Sequence, residues 1–394
     1  MKLYNSKTQS IEPFVPRSKR SVFLYVCGIT PYDTTHLGHA FTYVFFDALI
    51  AYLRFKKYNI TYVQNVTDID NDILKRAKQE GRDWKELGQY WTDKFLSDLR
   101  NLSVAMPTHY VKATDSIPMI ITIIASLIGK KCAYENDGNV YFSVDSFPLY
   151  GELSHFTPKQ MLLISQERGA DPTDTKKKNP LDFILWQKSL IGEPFWESPW
   201  GKGRPGWHIE CSAMIKQYLG DQIDIHGGGR DLIYPHHSSE IAQSESSTGR
   251  VPFVKYWMHT AMLMYQGEKM SKSLGNLIMV SDLLKTYSPQ VIRYELLSHH
   301  YRKPWEFDEE QLKIASDNIK RLTSFAKFAI TEEIDTNSYF DTCVSYLEDD
   351  FQSEMVFPYL VSLLNEKTIM TNASEKQKAA IAMRKILTIF GLEK

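Results

Sequence analysis

The chain has 394 residues, more than one ordinary core accommodates, so two or three domains are expected. Hydrophobic residues make up 43% and charged residues 24%, as in soluble globular proteins, and no run approaches the ~20 apolar residues of a membrane span. Its 46 basic and 47 acidic residues leave a net charge of −1, which excludes a non-specific nucleic-acid binder with clustered cations but not a specific one. The start, Met1-Lys2-Leu3-Tyr4-Asn5, has no apolar signal core, so a cytoplasmic location is expected. Disulfides are not expected there, and Cys132 and Cys343 read as small buried hydrophobes.

In chain order, Val22-Phe23-Leu24-Tyr25-Val26 reads as a strand, running on to Cys27 and a tight turn. A helix follows from about His39 to Lys57. Ile60 to Val66 is a second strand, then a polar turn and a helix through Ile73 to Lys78. This β-α-β order argues for a parallel sheet with crossover helices. The stretch 83–131 reads as helical and amphipathic, interrupted by Met106-Pro107, with Ile117 to Ile128 as a buried helix. Residues 138–156 read as a small strand-rich insert around Val140-Tyr141-Phe142-Ser143-Val144. The segment 166–206, with Lys176-Lys177-Lys178, reads as a solvated loop in a long insertion. The sheet pattern resumes at Gln222-Ile223-Asp224-Ile225-His226 and near Trp257-Met258-His259. From about Ser281 onwards the pattern is helical. The predicted domains are a Rossmann-like α/β catalytic domain over 1–280, with an insertion at about 83–206, and a helical bundle over 281–394.

Several constellations carry chemistry. His36 and His39 stand three apart at a helix start, where free N–H groups favour anions, and Gly38 between them lets a ligand approach the backbone. Taken alone, a His-x-x-His pair reads more often as surface capping histidines. Lys269 and Lys272, around Met270-Ser271, place two mobile ammonium groups where a pyrophosphate leaving group gains charge. Alone, they read as a solvated basic loop. Asp224-Ile225-His226-Gly227-Gly228-Gly229-Arg230-Asp231 ends a strand in three glycines and an acid, as nucleotide-approach loops do, or as a simple turn does. Cys27, Cys211, His236 and Glu240 are residue types that bind zinc, although they come from three distant segments.

The His36-Leu37-Gly38-His39 segment and the Lys269-Met270-Ser271-Lys272-Ser273 loop resemble the two signatures of class I aminoacyl-tRNA synthetases. Asn65-Val66-Thr67-Asp68-Ile69-Asp70, Gly206-Trp207-His208-Ile209-Glu210-Cys211-Ser212-Ala213-Met214 and Asp224 to Gly229 narrow the likeness to the cysteinyl-tRNA synthetase group, over about residues 20–325. The resemblance implies ATP-dependent activation of cysteine as cysteinyl-adenylate, with Mg accompanying ATP. Zinc would sit on Cys27, Cys211, His236 and Glu240. It places Thr30, Thr67 and Trp207 in the amino-acid pocket and His36, His39, Lys269 and Lys272 in the chemistry. Gly38, Gly229, Asp231 and Met262 would lie against the nucleotide.

Within the group, the sequence is similar to a sibling, the mycothiol cysteine ligase, which joins cysteine to the amine of glucosaminyl-inositol. The first loop reads Gly28-Ile29-Thr30-Pro31-Tyr32-Asp33, where the synthetases have Gly-Pro-Thr-Val-Tyr-Asp, and the signature ends in His39 where they have Asn. Glu167 to Pro172 and Asn179 to Asp182 are also like the ligase. Residues 331–394 carry 11 acidic and 6 basic residues, poorly suited to RNA phosphates, and no anticodon-binding domain is expected. Glu240 points the other way, since the sibling is thought to bind zinc without it. The expectation is therefore a monomeric cysteine ligase acting on a small amine, with tRNA as the alternative acceptor and a non-catalytic paralogue as a third reading.

Overall fold

An antiparallel hairpin, β1 (Lys2–Asn5) with β2 (Ser10–Pro13), precedes the main sheet and is tied to it through the Asn5 side chain, which donates to the carbonyl of Lys255. The structure, a computed structural model, describes residues 1–32, 35–270, 274–329 and 337–393. Strand β3 (Ser21–Ile29) leads through the first-motif turn into α1 (Leu37–Phe55), and β4 (Asn59–Val66) leads into α2 (Asn71–Glu80). Helix α1 is apolar on nearly every face because it is buried between the sheet and the C-terminal helices. Helix α2 is a surface helix, started by the Asp70 cap and stopped by Gly81 at φ 64°.

Helix α3 (Trp84–Asn101) is followed by β5 (His109–Lys112) and α4 (Ile117–Gly129). The expectation of a helical 83–131 broken only at Met106-Pro107 is thus corrected: after that break β5 adds in parallel to β4 at the edge of the sheet. Only Val111 of its four residues is buried, so it carries no alternation long enough to read as a strand. Strands β6 (Ala133–Asn136) and β7 (Asn139–Phe142), helix α5 (Pro158–Glu167), and strands β8 (Phe183–Lys188) and β9 (Gly203–Pro205) complete the insertion. The four strands form an antiparallel sheet in the order β6-β7-β8-β9. The loop expected over 166–206 therefore contains two of its strands. Within it Lys176 pairs with Asp137 at 2.7 Å and Lys178 lies over the Tyr134 ring, so these lysines are held within the insertion.

Helix α6 (Trp207–Tyr218), strand β10 (Ile223–Gly229), helix α7 (Ser238–Thr248) and strand β11 (Val254–Thr260) return to the main sheet. That sheet is wholly parallel, in the order β11-β10-β3-β4-β5, with β3 and β10 adjacent at its centre. In chain order the five strands lie 3-2-1-4-5, the arrangement of a doubly wound sheet.

Strands β12 (Leu263–Tyr265) and β13 (Glu268–Lys269), then helices α8 (Val280–Leu283) and α9 (Pro289–Leu297), lead to β14 (Trp305–Glu306). Strand β14 pairs with β12, so the part after 281 is not wholly helical; two residues are too few to leave a pattern. Helices α10 (Glu309–Ala326), α11 (Ser338–Glu348), α12 (Ser353–Leu363), α13 (Lys367–Thr371) and α14 (Ala373–Ile389) follow. They share one hydrophobic core with α1. Arg293, buried on α9, locks the joint: it pairs with Asp47 on α1 at 2.7 Å and donates to the carbonyls of Leu102 and Phe390. No described helix is long and apolar enough to cross a membrane.

Candidate functional site

Doubly wound sheets bind ligands outside the C-terminal strand ends, where the strand order reverses. Here that point lies between β3 and β10. Two glycines there take close neighbours, one a strand and one a helix side chain. A Cβ on Gly28 would sit 1.6 Å from the carbonyl oxygen of Asn65, and the Gly28 N–H donates to the Asn65 side chain at 2.7 Å. A Cβ on Gly227 would lie 2.1 Å from the Phe46 ring. The glycine triplet is thus strand rather than turn, and it is required by close packing, not by a left-handed backbone.

At this point the structure brings together Cys27 of β3, Cys211 of α6, His236 in the turn before α7 and Glu240 in the first turn of α7, all buried. A tetrahedral zinc ion with sulfur at ~2.3 Å and nitrogen or oxygen at ~2.0–2.1 Å needs edges of about 3.8 Å between sulfurs, about 3.5 Å from sulfur to nitrogen and about 3.3 Å from nitrogen to oxygen. The two Sγ atoms are 3.8 Å apart, Cys211 Sγ and His236 Nε2 3.4 Å, and His236 Nε2 and Glu240 Oε1 3.2 Å. Cys27 Sγ stands 3.9 Å from Glu240 Oε1. The donor set and its spacing fit zinc.

Sequence reasoning missed several histidines. His237 Nε2 lies 3.3 Å from Cys27 Sγ, and the donor atoms of Cys27, His236, His237 and Glu240 lie within 4.8 Å of one another. Neighbouring helical residues point about 100° apart, which hides such a pair. The chain escapes this because Tyr234 is extended, at φ −141°, within the wide turn Ile233–His237. Around the cluster, His226 Nε2 meets the other Glu240 oxygen at 3.0 Å, His208 Nδ1 meets His236 Nδ1 at 3.1 Å, and His259 Nε2 meets His237 Nδ1 at 2.8 Å. These contacts fix ring orientation, as outer partners of metal ligands do.

Burial, assisted by the neighbouring Cys211, holds the Cys27 thiol well above its ordinary range. Burial does the same to the Glu240 carboxyl, and keeps His236 and His237 well below theirs. It pushes His208, His226 and His259 down to about 3. Neutral imidazoles are ready to ligate, and a bound cation would displace the thiol and carboxyl protons.

Trp207 stacks on the His236 ring at 4.5 Å between centroids, so it lies against the cluster. Thr67 is buried just past the end of β4: its N–H donates to Ile29 O, and its hydroxyl accepts from Asn65 Nδ2 at 3.4 Å. Thr30 is half-buried and meets the Asp70 carboxylate.

Burial raises Asp70 to about 6, although its oxygen accepts from the Ile73 N–H at 2.8 Å. The folded chain therefore holds this proton more tightly than the unfolded chain. The stabilisation is full below the unfolded value and is lost as pH rises through about 6. Asparagine caps a helix as well as aspartate and does not titrate. Asp70→Asn should accordingly gain on the native chain by roughly 1–2 kcal/mol between pH 4 and pH 7, allowing for partial exposure. Urea unfolding at the two pH values measures this, and a pH-independent difference would contradict it.

The histidine segment is joined in space to the stretch that follows the lysine loop. His36 caps α1, its Nδ1 accepts from the His39 N–H at 3.4 Å, and the two rings stack 3.7 Å apart. His36 also bridges Met279, while Leu37 N–H donates to Ile278 O and Val280 N–H to Thr35 O. The segment after the lysine loop is thereby stitched to the histidine segment. Lys269 is exposed on β13 and faces Met264 of β12. Lys272 lies outside the described residues. Gly38 sits against the His36 ring, where a Cβ would stand 3.0 Å away. Met262 is half-buried between β11 and β12. Gly229 ends β10, and Asp231 just beyond it is paired with Arg168 at 3.2 Å.

A doubly wound sheet, a histidine-capped helix stitched to a lysine loop and a metal-fitting cluster at the switch point define a catalytic domain of the class I synthetase kind. The family model for the class I (C) tRNA synthetase catalytic domain matches residues 13–317. The chain belongs to this family. A cysteine–tRNA ligase of Carboxydothermus hydrogenoformans is 44% identical over all of this chain and 87% of its own length. One of Dehalococcoides mccartyi is 42% identical, covering 100% of this chain and 86% of that one. Among solved structures, Mycobacterium tuberculosis methionyl-tRNA synthetase in complex with methionyl-adenylate superposes with a TM-score of 0.65 at 12% identity, over 95% of this chain and 90% of that one. A putative arginyl-tRNA synthetase of Campylobacter jejuni gives 0.59 at 16% identity, over 95% and 93%. The last two speak for the fold alone.

Proposed function

We propose that this chain, an ATP-dependent cysteine-activating ligase, transfers the activated cysteine to tRNA. The observation that carries the acceptor is the 44% identity to a cysteine–tRNA ligase along the entire chain. Ile29, Pro31 and His39 favour a small-amine acceptor of the mycothiol kind, but they are three positions against the whole length. Glu240, within ligand distance of His236, adds to the tRNA side.

In the first step the cysteine carboxylate attacks the α-phosphate of ATP, giving cysteinyl-adenylate and pyrophosphate. In the second a ribose hydroxyl of the tRNA end attacks the adenylate carbonyl, releasing AMP. Zinc on Cys27, Cys211, His236 and Glu240 would supply a soft site for the substrate sulfur, which serine's hydroxyl does not match. His226 and His208 hold Glu240 and His236 in place. Trp207 and Thr67 flank the thiol site, with Thr30 at its edge. His36, His39 and Lys269 serve the phosphates together with Lys272, and Gly38, Gly229, Asp231 and Met262 serve the adenosine, with Mg carried by ATP. The purified chain, given ATP, labelled cysteine and either tRNA or glucosaminyl-inositol, should place label on tRNA. Amide formation with glucosaminyl-inositol and none with tRNA would reverse the assignment. Failure of cysteine-dependent pyrophosphate exchange would instead favour a non-catalytic role.

A further inference from the structure

A groove of about 730 Å³ has none of the residues assigned to cysteine or ATP in its lining. It lies beyond the C-terminal ends of β4 and β5, so it opens on the same side of the parallel sheet as the metal-fitting cluster. Asp68, in its wall, directly follows Thr67 in the chain. Helix α3, the segment from Lys112 to Asp115 and Trp196 of the insertion supply the rest of the lining.

One lining residue is a glycine that the fold does not require. Gly88 is buried in the interior of α3, and its backbone is not left-handed. A Cβ there would meet nothing nearer than the Asp68 carbonyl oxygen, at 3.9 Å, which is an ordinary contact. Glycine is unfavourable inside a helix, so the missing side chain serves the open space and not the packing. Flat rings and cations border that space. Trp84 and Trp196 are half-buried, and Tyr90 is 45% exposed. Lys85 lies 5.5 Å from the Trp84 ring, and Lys112 donates to Gln89 at 2.9 Å. The Asp68 carboxylate is taken up by the Thr114 N–H and hydroxyl, at 3.0 and 2.7 Å. Aromatic faces beside ammonium groups suit an unpaired nucleotide, whose base stacks and whose phosphate meets the cations.

We infer that this groove holds an unpaired nucleotide of the tRNA end while the terminal ribose takes the cysteine. This rests on the tRNA reading of the acceptor. Because Asp68 adjoins Thr67, a strand anchored in the groove has its end beside the thiol site. Glucosaminyl-inositol, with neither a flat ring nor a phosphate, would leave the groove unused.

The test fills the groove with Gly88→Phe and, separately, removes an exposed stacking face with Tyr90→Ala, which keeps the core intact. Fluorescence anisotropy compares intact tRNA with tRNA trimmed of its unpaired end nucleotides. The native chain should bind intact tRNA roughly 10-fold more tightly than trimmed tRNA, the scale of base stacking. In Gly88→Phe that advantage should shrink to about threefold or less, through intact tRNA alone, with cysteine-dependent pyrophosphate exchange unchanged. Tyr90→Ala should shift the advantage in the same direction. Equal weakening of both tRNAs would mark the groove as merely structural, and an undiminished advantage in both variants would mark it as unused; either overturns the inference. So would loss of exchange with the tRNA advantage intact, which would give the groove to the first step. A native chain that binds intact and trimmed tRNA equally overturns the inference whether or not the variants fold. One that exchanges pyrophosphate with cysteine but binds no tRNA overturns the tRNA reading, and this inference with it.

Discussion

Cys211→Ser is expected to lose bound metal and cysteine-dependent pyrophosphate exchange together. Removing an outer partner of a metal ligand already costs about 10–100-fold in affinity, and removing a ligand itself should exceed that. Metal content by elemental analysis should drop from about one ion per chain to near none after dialysis, with exchange falling by more than about 100-fold. Cys132→Ser is the control, since Cys132 is half-buried in the insertion and its Sγ meets only the Lys130 carbonyl, at 3.6 Å. Full exchange in metal-free Cys211→Ser would remove the metal from the account of cysteine recognition. His237→Ala then settles whether the fifth donor ligates. A ligand loses metal as Cys211→Ser does, whereas an orienting partner weakens it only about 10–100-fold.

Gly28→Ala should damage the fold as well as the site. The added methyl meets a backbone carbonyl at 1.6 Å, so no side chain can swing aside. Strands β3 and β4 would have to part at the centre of the sheet. The cost should exceed about 3 kcal/mol, above the usual range for overpacking because the obstruction is main chain. Gly38→Ala is the informative contrast. Its methyl would meet only the His36 ring, at 3.0 Å, and alanine is worth about 1 kcal/mol over glycine inside a helix. That variant should stay within about 1 kcal/mol of native stability while losing ATP affinity. Thermal melting and soluble yield distinguish the two. Equal stability loss would mean that the close approach at Gly28 is relieved by backbone movement.

The elements legible in the sequence were those with long patterns. Strands β3, β4 and β10 and helices α1, α2 and α4 fall within a few residues of where apolar runs and caps place them. The hairpin β1–β2, the edge strand β5 and the two-residue strands β13 and β14 were not legible. Each is short, and partners distant in sequence, not local alternation, hold it in place. The metal-fitting residues behave in the same way. Cys27, Cys211, His236 and Glu240 have no compact spacing, and only resemblance joined them beforehand. His237 and His226 required coordinates, because their significance lies in what they touch.

The separation of those residues along the chain has a consequence for biosynthesis. Cys27 must wait for Glu240, 213 residues later, before its cluster can close. At ~5–20 residues per second that interval lasts about 10–40 seconds on the ribosome. Through most of it the central strand carries an uncapped thiol and one open edge, since β10, its neighbour at the switch point, has yet to be made. Metal capture would therefore be a late event, and the ion would act as a seal on a finished sheet, not as a seed for an early one.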